Sequence, residues 1–113
     1  MKALLAALCV LCAHGADSMA TITAYCPCSK CCGKWAGGPT ASGKMPVQGI
    51  TVAGPRSVPF GTQVYIESVG WRTVQDRTAR RFDGRYDLYF NNHADALRFG
   101  KRMLRVHIPQ THE

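Results

Sequence analysis

The amino-acid sequence predicts an all-β domain built from about six short strands and one short helix. Segments that alternate β-branched or apolar residues with polar ones recur along the chain, and glycine or proline turns separate them. Only one stretch has helical spacing, which disfavours a mainly helical fold. Closing so many short strands into a barrel would remove exposed sheet edges, although spacing alone does not choose between a barrel and a sandwich. The predicted strands cover residues 21–25, 49–53, 63–67, 72–75, 86–90 and 103–108.

The predicted helix lies between the last two strands. Asn92 can cap its first turn, and Asp95 follows three residues later, as in a capping box. Leu97 supplies part of the buried side and Gly100 ends the helix. We interpret His93 as part of this cap.

The first twenty residues have the pattern of a secretory signal peptide. Lys2 precedes an apolar run over residues 3–13, and small residues occupy positions 13, 15, 18 and 20, where cleavage would be permitted. The run is too short to be a comfortable transmembrane segment. The sequence therefore predicts a signal peptide at 1–20 and one domain at 21–113. We expect an exported protein, located in the periplasm, at the outer membrane or outside the cell.

The chain is basic, with a net charge of +7. A positive exported domain is suited to anionic partners such as cell-wall polymers, whereas export argues against nucleic acid. The alternative is that the charge only keeps the protein soluble.

Four cysteines crowd into one short segment, and none follows it. These residues are Cys26, Cys28, Cys31 and Cys32. In an oxidising compartment they could form two local disulfides. The spacing of Cys28 and Cys31 also fits a zinc knuckle, so a structural zinc is the second interpretation. Either would shape a loop. A catalytic thiol is not expected, because no base is near in sequence, and neither is a histidine metal site.

Two aspartates at the ends of neighbouring predicted strands are candidates for acid–base chemistry. Asp76 ends one strand and Asp87 lies on the next. If both face one cleft, like charge and partial burial can keep one carboxyl protonated at neutral pH, as a leaving glycosidic oxygen requires. The alternative is that the acids of this segment merely neutralise its basic residues. Those acids are Asp76, Asp83 and Asp87, and the basic residues are Arg77, Arg80, Arg81 and Arg85.

The order of short motifs along the chain adds a family resemblance. The chain carries Thr-Ala-Tyr at 23–25, Thr-Ala-Ser-Gly at 40–43, Gly-Ile-Thr-Val-Ala at 49–53, a proline–glycine strand entry at 58–66, the two aspartates, and a helical block at 93–100. This order resembles the bacterial 3D domain, which is named for three aspartates, and covers nearly all of residues 21–108. The resemblance implies a six-stranded double-psi β-barrel.

The resemblance also implies an activity. Related barrels are lytic transglycosylases, which cleave the β-1,4 bond between N-acetylmuramic acid and N-acetylglucosamine in peptidoglycan without water. By matching position, Asp87 resembles the acid/base and Asp76 resembles its supporting carboxylate. The family's first aspartate would fall at Gly54, which has no carboxylate. A non-catalytic, expansin-like wall-binding barrel and a glycan hydrolase on the same fold are therefore the alternatives.

Four further residues are candidates for substrate binding. Thr40, Ser42 and Gly43 offer hydroxyls and backbone to a saccharide, although a plain turn explains them equally well. Arg85 would share a strand face with Asp87, where it could bind a muramyl carboxylate or pair with that aspartate. The resemblance implies no catalytic cofactor, peptidoglycan glycan strands as the partner, and a monomer.

Overall fold

The computed structural model describes residues 16–109, which form six strands and two short α-helices. The strands are β1 (Ala16–Tyr25), β2 (Thr51–Gly54), β3 (Gln63–Ile66), β4 (Gly70–Arg77), β5 (Tyr86–Tyr89) and β6 (Arg102–Ile108). The helices are α1 (Ser29–Cys32) and α2 (His93–Phe99). Two 3-10 turns, Gly33–Trp35 and Arg80–Phe82, follow α1 and β4.

The six strands close into a barrel in the order β1-β5-β2-β4-β3-β6. Two neighbouring pairs, β1/β5 and β2/β4, run parallel, and the other four pairs run antiparallel. Parallel neighbours need crossover connections, so the chain cannot be an up-and-down barrel. The predicted all-β, six-stranded barrel is confirmed, whereas the double-psi connectivity stays a prediction.

Every strand contributes to the interior. The residues with at most 2 % of their surface exposed include Ile22, Val52, Val64, Ile66, Val74, Leu88 and Val106. Burying each of these side chains is worth roughly 1.5–3 kcal/mol. In β3, exposed and buried positions alternate, whereas all four residues of β2 are buried.

The helix prediction is confirmed for its caps but wrong for Leu97, which is exposed, whereas Ala96 is buried. The Asn92 side chain accepts a hydrogen bond from the Asp95 backbone N–H (2.8 Å), and Gly100 ends α2. One predicted helix was too few, because α1 forms inside the cysteine segment. There the Cys32 N–H donates to the Cys28 carbonyl (2.9 Å). Apolar spacing does not reveal so short a helix, which buries no residue.

β1 begins five residues earlier than predicted. Residues 16–20 carry no β-branched side chain, yet they pair antiparallel with β6, from Ala16 opposite Ile108 to Ala20 opposite Leu104. The predicted signal peptide covers these residues. Its first fifteen residues lie outside the described part of the chain, so the signal peptide stays a prediction. Cleavage after Gly15, one of the small residues named above, would leave β1 whole.

Candidate active site and candidate metal centre

Backbone register places the two predicted catalytic aspartates in one row across the barrel. Ala53 of β2 is paired with Asp76 on one side and with Asp87 on the other, and Asp87 is paired in turn with Thr23 of β1. Paired residues point to the same face of a sheet. Neighbouring strands lie about 4.8 Å apart, so the two aspartates are separated by roughly 10 Å of backbone, with only a methyl group between them. We call these four residues the carboxylate row.

A β-bulge turns Asp76 toward that face. The β2/β4 register shifts between Val52 and Ala53, where Gln75 is passed over. Val52 pairs with Val74, and both point into the core. If the strands paired regularly, Asp76 would lie two positions after Val74 and point the same way, because strand side chains alternate. Bulges re-aim side chains next to functional sites.

Asp87 is partly buried. Its Oδ1 accepts a hydrogen bond from the Thr23 hydroxyl at 2.9 Å. Burial raises the pKa of Asp87 to about 6, and the negative charge of Asp76 adds to the shift, while the Thr23 hydrogen bond and the Arg85 charge oppose it. A carboxyl group with such a pKa can donate and recover a proton near neutral pH.

Asp76 is held by three donors. Its Oδ1 accepts from the backbone N–H groups of Ala41 (3.0 Å) and Arg77 (2.9 Å), and its Oδ2 accepts from the Tyr25 hydroxyl (2.9 Å). Burial raises the pKa of Tyr25 above its usual range, and the nearby Asp76 charge acts in the same direction, so this hydroxyl keeps its proton. Asp76 is thereby fixed in place as a hydrogen-bond acceptor.

The row faces a cleft of about 810 Å³. One wall is the cysteine segment and the glycine-rich loop after it, including Lys34 and Trp35, and the other is the segment between β4 and β5. Two of the four predicted substrate-binding residues, Thr40 and Arg85, line this cleft.

The other two, Ser42 and Gly43, are not part of the cleft lining. They build the turn behind Thr40. The Gly43 N–H donates to the Thr40 carbonyl at 2.9 Å, and Gly43 needs its left-handed φ of 91° there. The Thr40 hydroxyl donates to the Lys44 carbonyl at 2.7 Å and lies 3.0 Å from the Ser42 hydroxyl.

The structure does not support simple charge neutralisation between residues 76 and 87. Within residues 16–109, the only ion pair of these aspartates is Asp83 with Arg56 (3.4 Å), and Arg56 lies outside the segment. Asp83 also accepts the Arg56 backbone N–H (2.9 Å). The segment's own arginines keep their charges available.

Gly54 has no room for a carboxylate. A Cβ there would lie 3.0 Å from Val74 Cγ1 and 3.4 Å from Tyr86 Cε2. Its row neighbour Ala53 faces the cleft, so Gly54 faces the packed interior. The cleft therefore has two carboxylates in its row, Asp76 and Asp87.

A second constellation lies at the end of the barrel where β1 and β5 both stop. The sulfur atoms of Cys26, Cys28 and Cys31 and the Nδ1 atom of His93 all lie within 4.8 Å of one another. Nδ1 is 3.5, 3.4 and 3.5 Å from the three sulfurs in that order. Tetrahedral zinc with ordinary bond lengths would give S···N separations of about 3.5 Å. This Cys3His cluster could bind a metal ion.

The cysteine prediction is corrected in two ways. The four described cysteines are free, with Cys26 Sγ at 3.1 Å from Cys28 Sγ and 3.3 Å from Cys31 Sγ, so the local disulfides are not formed. Cys32 is not in the cluster, because its thiol donates to the Cys26 carbonyl (3.1 Å). His93 takes the fourth place.

The thiols of the cluster differ in acidity. A hydrogen bond from Cys26 is the largest cause that lowers the pKa of Cys28 to about 6, whereas burial raises the pKa of Cys26 to about 12. Burial, with a contribution from the Asp76 charge, also raises the pKa of Cys32. The lowered pKa of Cys28 favours the thiolate form, in which a cysteine binds a metal ion.

Sequence reasoning missed His93 as a candidate ligand, and it also missed Thr23 and Tyr25 as partners of the aspartates. The missing information was strand pairing. β1 and β5 run parallel, and the Phe90 N–H donates to the Tyr25 carbonyl (2.8 Å), so the residues after both strands leave the barrel together. His93 is then close to Cys26, although 67 positions separate them.

No helix among residues 16–109 is long and apolar enough to cross a membrane. Comparison with known proteins finds no protein-family model and no curated protein that matches the chain. The resemblance to the 3D domain therefore stays a prediction.

Proposed function

We propose that this protein is an exported lytic transglycosylase that cleaves peptidoglycan glycan strands between N-acetylmuramic acid and N-acetylglucosamine. The observation that carries the proposal is the carboxylate row. It presents one partly buried aspartate and one aspartate with three hydrogen-bond donors to the same cleft. Two carboxyl groups in different environments are the usual equipment for cleaving a glycosidic bond.

In the proposed reaction, protonated Asp87 gives its proton to the glycosidic oxygen as the bond to the anomeric carbon breaks. The C6 hydroxyl of the muramic acid then attacks that carbon, and its proton returns to Asp87. The products are a free N-acetylglucosamine end and a 1,6-anhydro end, and no water is consumed. The Asp76 carboxylate would stabilise positive charge on the sugar ring.

The environment of Asp76 favours this reaction over hydrolysis. A glycan hydrolase needs a second carboxylate that activates water or attacks the sugar. Asp76 already accepts three hydrogen bonds, so most of its lone pairs are occupied. A carboxylate in that state is better suited to electrostatic support than to proton abstraction.

The test is digestion of purified peptidoglycan by the wild type, Asp87→Asn and the control Asp83→Asn, with mass analysis of released fragments. We expect anhydro-muropeptides from the wild type and the control, and a loss of at least about 100-fold in Asp87→Asn. Reducing-end products would instead identify a hydrolase. If none of the three proteins releases fragments and all three still sediment with the cell wall, the transglycosylase proposal is wrong and the non-catalytic wall-binding barrel is favoured.

We also propose that the Cys3His cluster holds a structural zinc ion. Four protein ligands would close the coordination shell, as in structural rather than catalytic sites. The ligands join the end of β1 to the first turn of α2, and the cysteine segment forms one cleft wall. Zinc would then fix that wall beside the carboxylate row.

Two neighbouring cysteines provide a matched test of the ion. Cys31 belongs to the cluster, whereas Cys32 does not. Protein purified under reducing conditions should carry one zinc per chain in the wild type and in Cys32→Ser, and clearly less in Cys31→Ser. Cobalt substitution should give the visible absorption of tetrahedral thiolate ligation in the first two. Equal metal loss in both variants would contradict the ligand set.

A further inference from the structure

The cleft is strongly positive along one wall. Its lining includes the four arginines Arg56, Arg77, Arg81 and Arg85. Lys34 lines the opposite wall, and the only acidic residues among the lining are Asp76 and Asp87. A groove with this excess of cations attracts anionic ligands and raises their local concentration.

Aromatic rings position three of these arginines. Arg77 stacks over Phe60, with 4.0 Å between its guanidinium carbon and the ring centre. Arg81 and Arg85 both lie over Phe82, at 4.8 and 4.4 Å. Stacking holds a guanidinium through its flat face and leaves its N–H edge free for hydrogen bonds.

None of the three stacked arginines forms an ion pair within residues 16–109. The one salt bridge at this wall joins Arg56 to Asp83. Nη1 of Arg77 is buried and meets no hydrogen-bond acceptor in the described part of the chain. A buried donor without an acceptor costs free energy, which a ligand oxygen would recover.

The stacked arginines flank the carboxylate row. Arg77 directly follows Asp76 and Arg85 precedes Asp87 by two residues, so the positive wall lies next to the proposed reaction centre. N-acetylmuramic acid differs from N-acetylglucosamine by a lactyl ether that ends in a carboxyl group, which is free and charged where no peptide is attached. An anion subsite here would distinguish the two sugars on peptide-free strands.

We propose that Arg77, Arg81 and Arg85 form a subsite for a carboxylate carried by the glycan strand. The identity of the polymer rests on the proposed function, whereas the recognition of an anion rests on the arginines alone. Guanidinium groups suit this role because they bind carboxylates through two parallel hydrogen bonds.

The test measures binding to Asp87→Asn protein by calorimetry, so that turnover does not interfere. Three probes are compared. The first is a peptide-free tetrasaccharide of alternating N-acetylglucosamine and N-acetylmuramic acid with free lactyl carboxylates. The second is the neutral N-acetylglucosamine tetrasaccharide, and the third is a glycerol-phosphate oligomer. We expect the first probe to bind at least about tenfold more tightly than the second. This difference in affinity should decrease at high salt.

Arginine variants in the same background locate the subsite. Arg77→Gln and Arg81→Gln should each weaken binding of the first probe about tenfold and leave the neutral probe unchanged. Arg105→Gln removes the same charge from an exposed position on β6 outside the cleft. It should change the affinity for neither tetrasaccharide. Arg81 is itself exposed, so its variant should fold even if Arg77→Gln does not.

Three results would overturn the subsite. These are equal affinity for the charged and neutral tetrasaccharides, equal effects of Arg105→Gln and Arg81→Gln, and arginine-dependent binding of the phosphate oligomer alone. Failure of the transglycosylase proposal would look different, because it concerns products of the wild type. A domain that releases nothing can still show arginine-dependent binding.

Discussion

The carboxylate row and the Cys3His cluster are two candidate sites that both take residues from β1 or from the position directly after it. Their geometry has different origins. Thr23 and Tyr25 lie on the strand and contact Asp87 and Asp76, and Cys26 comes directly after the strand. The row is built on four hydrogen-bonded strands. The cluster is built on a loop, a four-residue helix and the first turn of α2.

This difference shows what each site needs in order to hold its shape. Strand pairing fixes the row before any ligand arrives, because Ala53 and Asp87 are each paired on both sides and thereby connect all four residues. No such ladder joins Cys26, Cys28, Cys31 and His93. An ion bound by all four would connect segments that the backbone leaves separate. The four predictions below run from the largest expected effect to the smallest.

Removing metal should affect the cluster far more than the row. If free zinc exceeds its dissociation constant a thousandfold, the bound ion stabilises the fold by about 4 kcal/mol. For a domain of this size, a chelator should then lower the Tm by roughly 20 °C in a thermal melt. The chelator should lower the Tm of Cys32→Ser as much as that of the wild type. It should lower the Tm of Cys31→Ser much less. If a chelator does not change the Tm of the wild type, the cluster does not depend on a metal ion for its shape, and the proposed difference between the two sites is wrong.

Adding the third aspartate that the resemblance implies should destabilise the barrel. Gly54→Asp places a carboxylate against Val74 and Tyr86, where no donor compensates its burial. We expect a loss of about 3 kcal/mol in the free energy of unfolding by urea, with no gain in activity. Gly54→Ala is the control for bulk alone and should cost about 1 kcal/mol. An active, stable Gly54→Asp protein would show that the row extends beyond the four residues described.

The acidity of Asp87 makes stability depend on pH. Its pKa is raised from 3.8 to about 6, so the folded protein binds more protons than the unfolded chain between these values. Stability therefore falls as pH rises through this window. Asp87→Asn lacks the effect and should be about 2 kcal/mol more stable than the wild type at pH 7, with the difference disappearing near pH 4.

Activity should also depend on pH, because deprotonated Asp87 cannot donate a proton. We expect kcat/KM to decline above about pH 6. Asp83→Asn serves as the control for loss of an exposed charge. It should change stability by no more than about 0.5 kcal/mol, and in the destabilising direction. A pH-independent stability difference for Asp87→Asn would contradict the burial of this carboxyl group.

Removing the Tyr25 hydroxyl should have the smallest effect. Tyr25→Phe deletes one of three donors to Asp76 and should cost about 1 kcal/mol. Tyr65→Phe is the matched control, because Tyr65 is exposed and its hydroxyl bonds to nothing in the described residues. Equal urea midpoints for the two variants would show that backbone donors alone hold Asp76.

The sequence was sufficient for the strands and insufficient for the contacts between them. The pattern of β-branched and apolar residues located five strands to within two residues and missed the first half of β1, which has no β-branched side chain. It also paired Asp76 with Asp87 by their positions near strand ends. It could not show that Ala53 lies between them, because that follows from strand order and not from spacing.

The metal ligands illustrate the same limit. Three of the four predicted ligand cysteines are in the cluster, and local spacing was enough to find them. Cys31 and Cys32 are adjacent, however, and only the turn of α1 decides which sulfur faces inward. His93 is distant in sequence and reaches the cluster through the parallel β1/β5 pair.

The bulge at Gln75 makes the place of Asp76 depend on strand register as well as on residue identity. If β4 paired with β2 without the bulge, Gln75 would lie opposite Ala53, and Asp76 would point toward the interior. All residues would be present in their original order, yet the row would hold a neutral amide in place of a carboxylate. Deleting the codon for Gln75 would have the opposite result, because Asp76 would then directly follow Val74 and keep its place opposite Ala53. During divergence of this barrel, an in-frame loss of these three nucleotides could thus remove the bulge without changing the chemistry of the site.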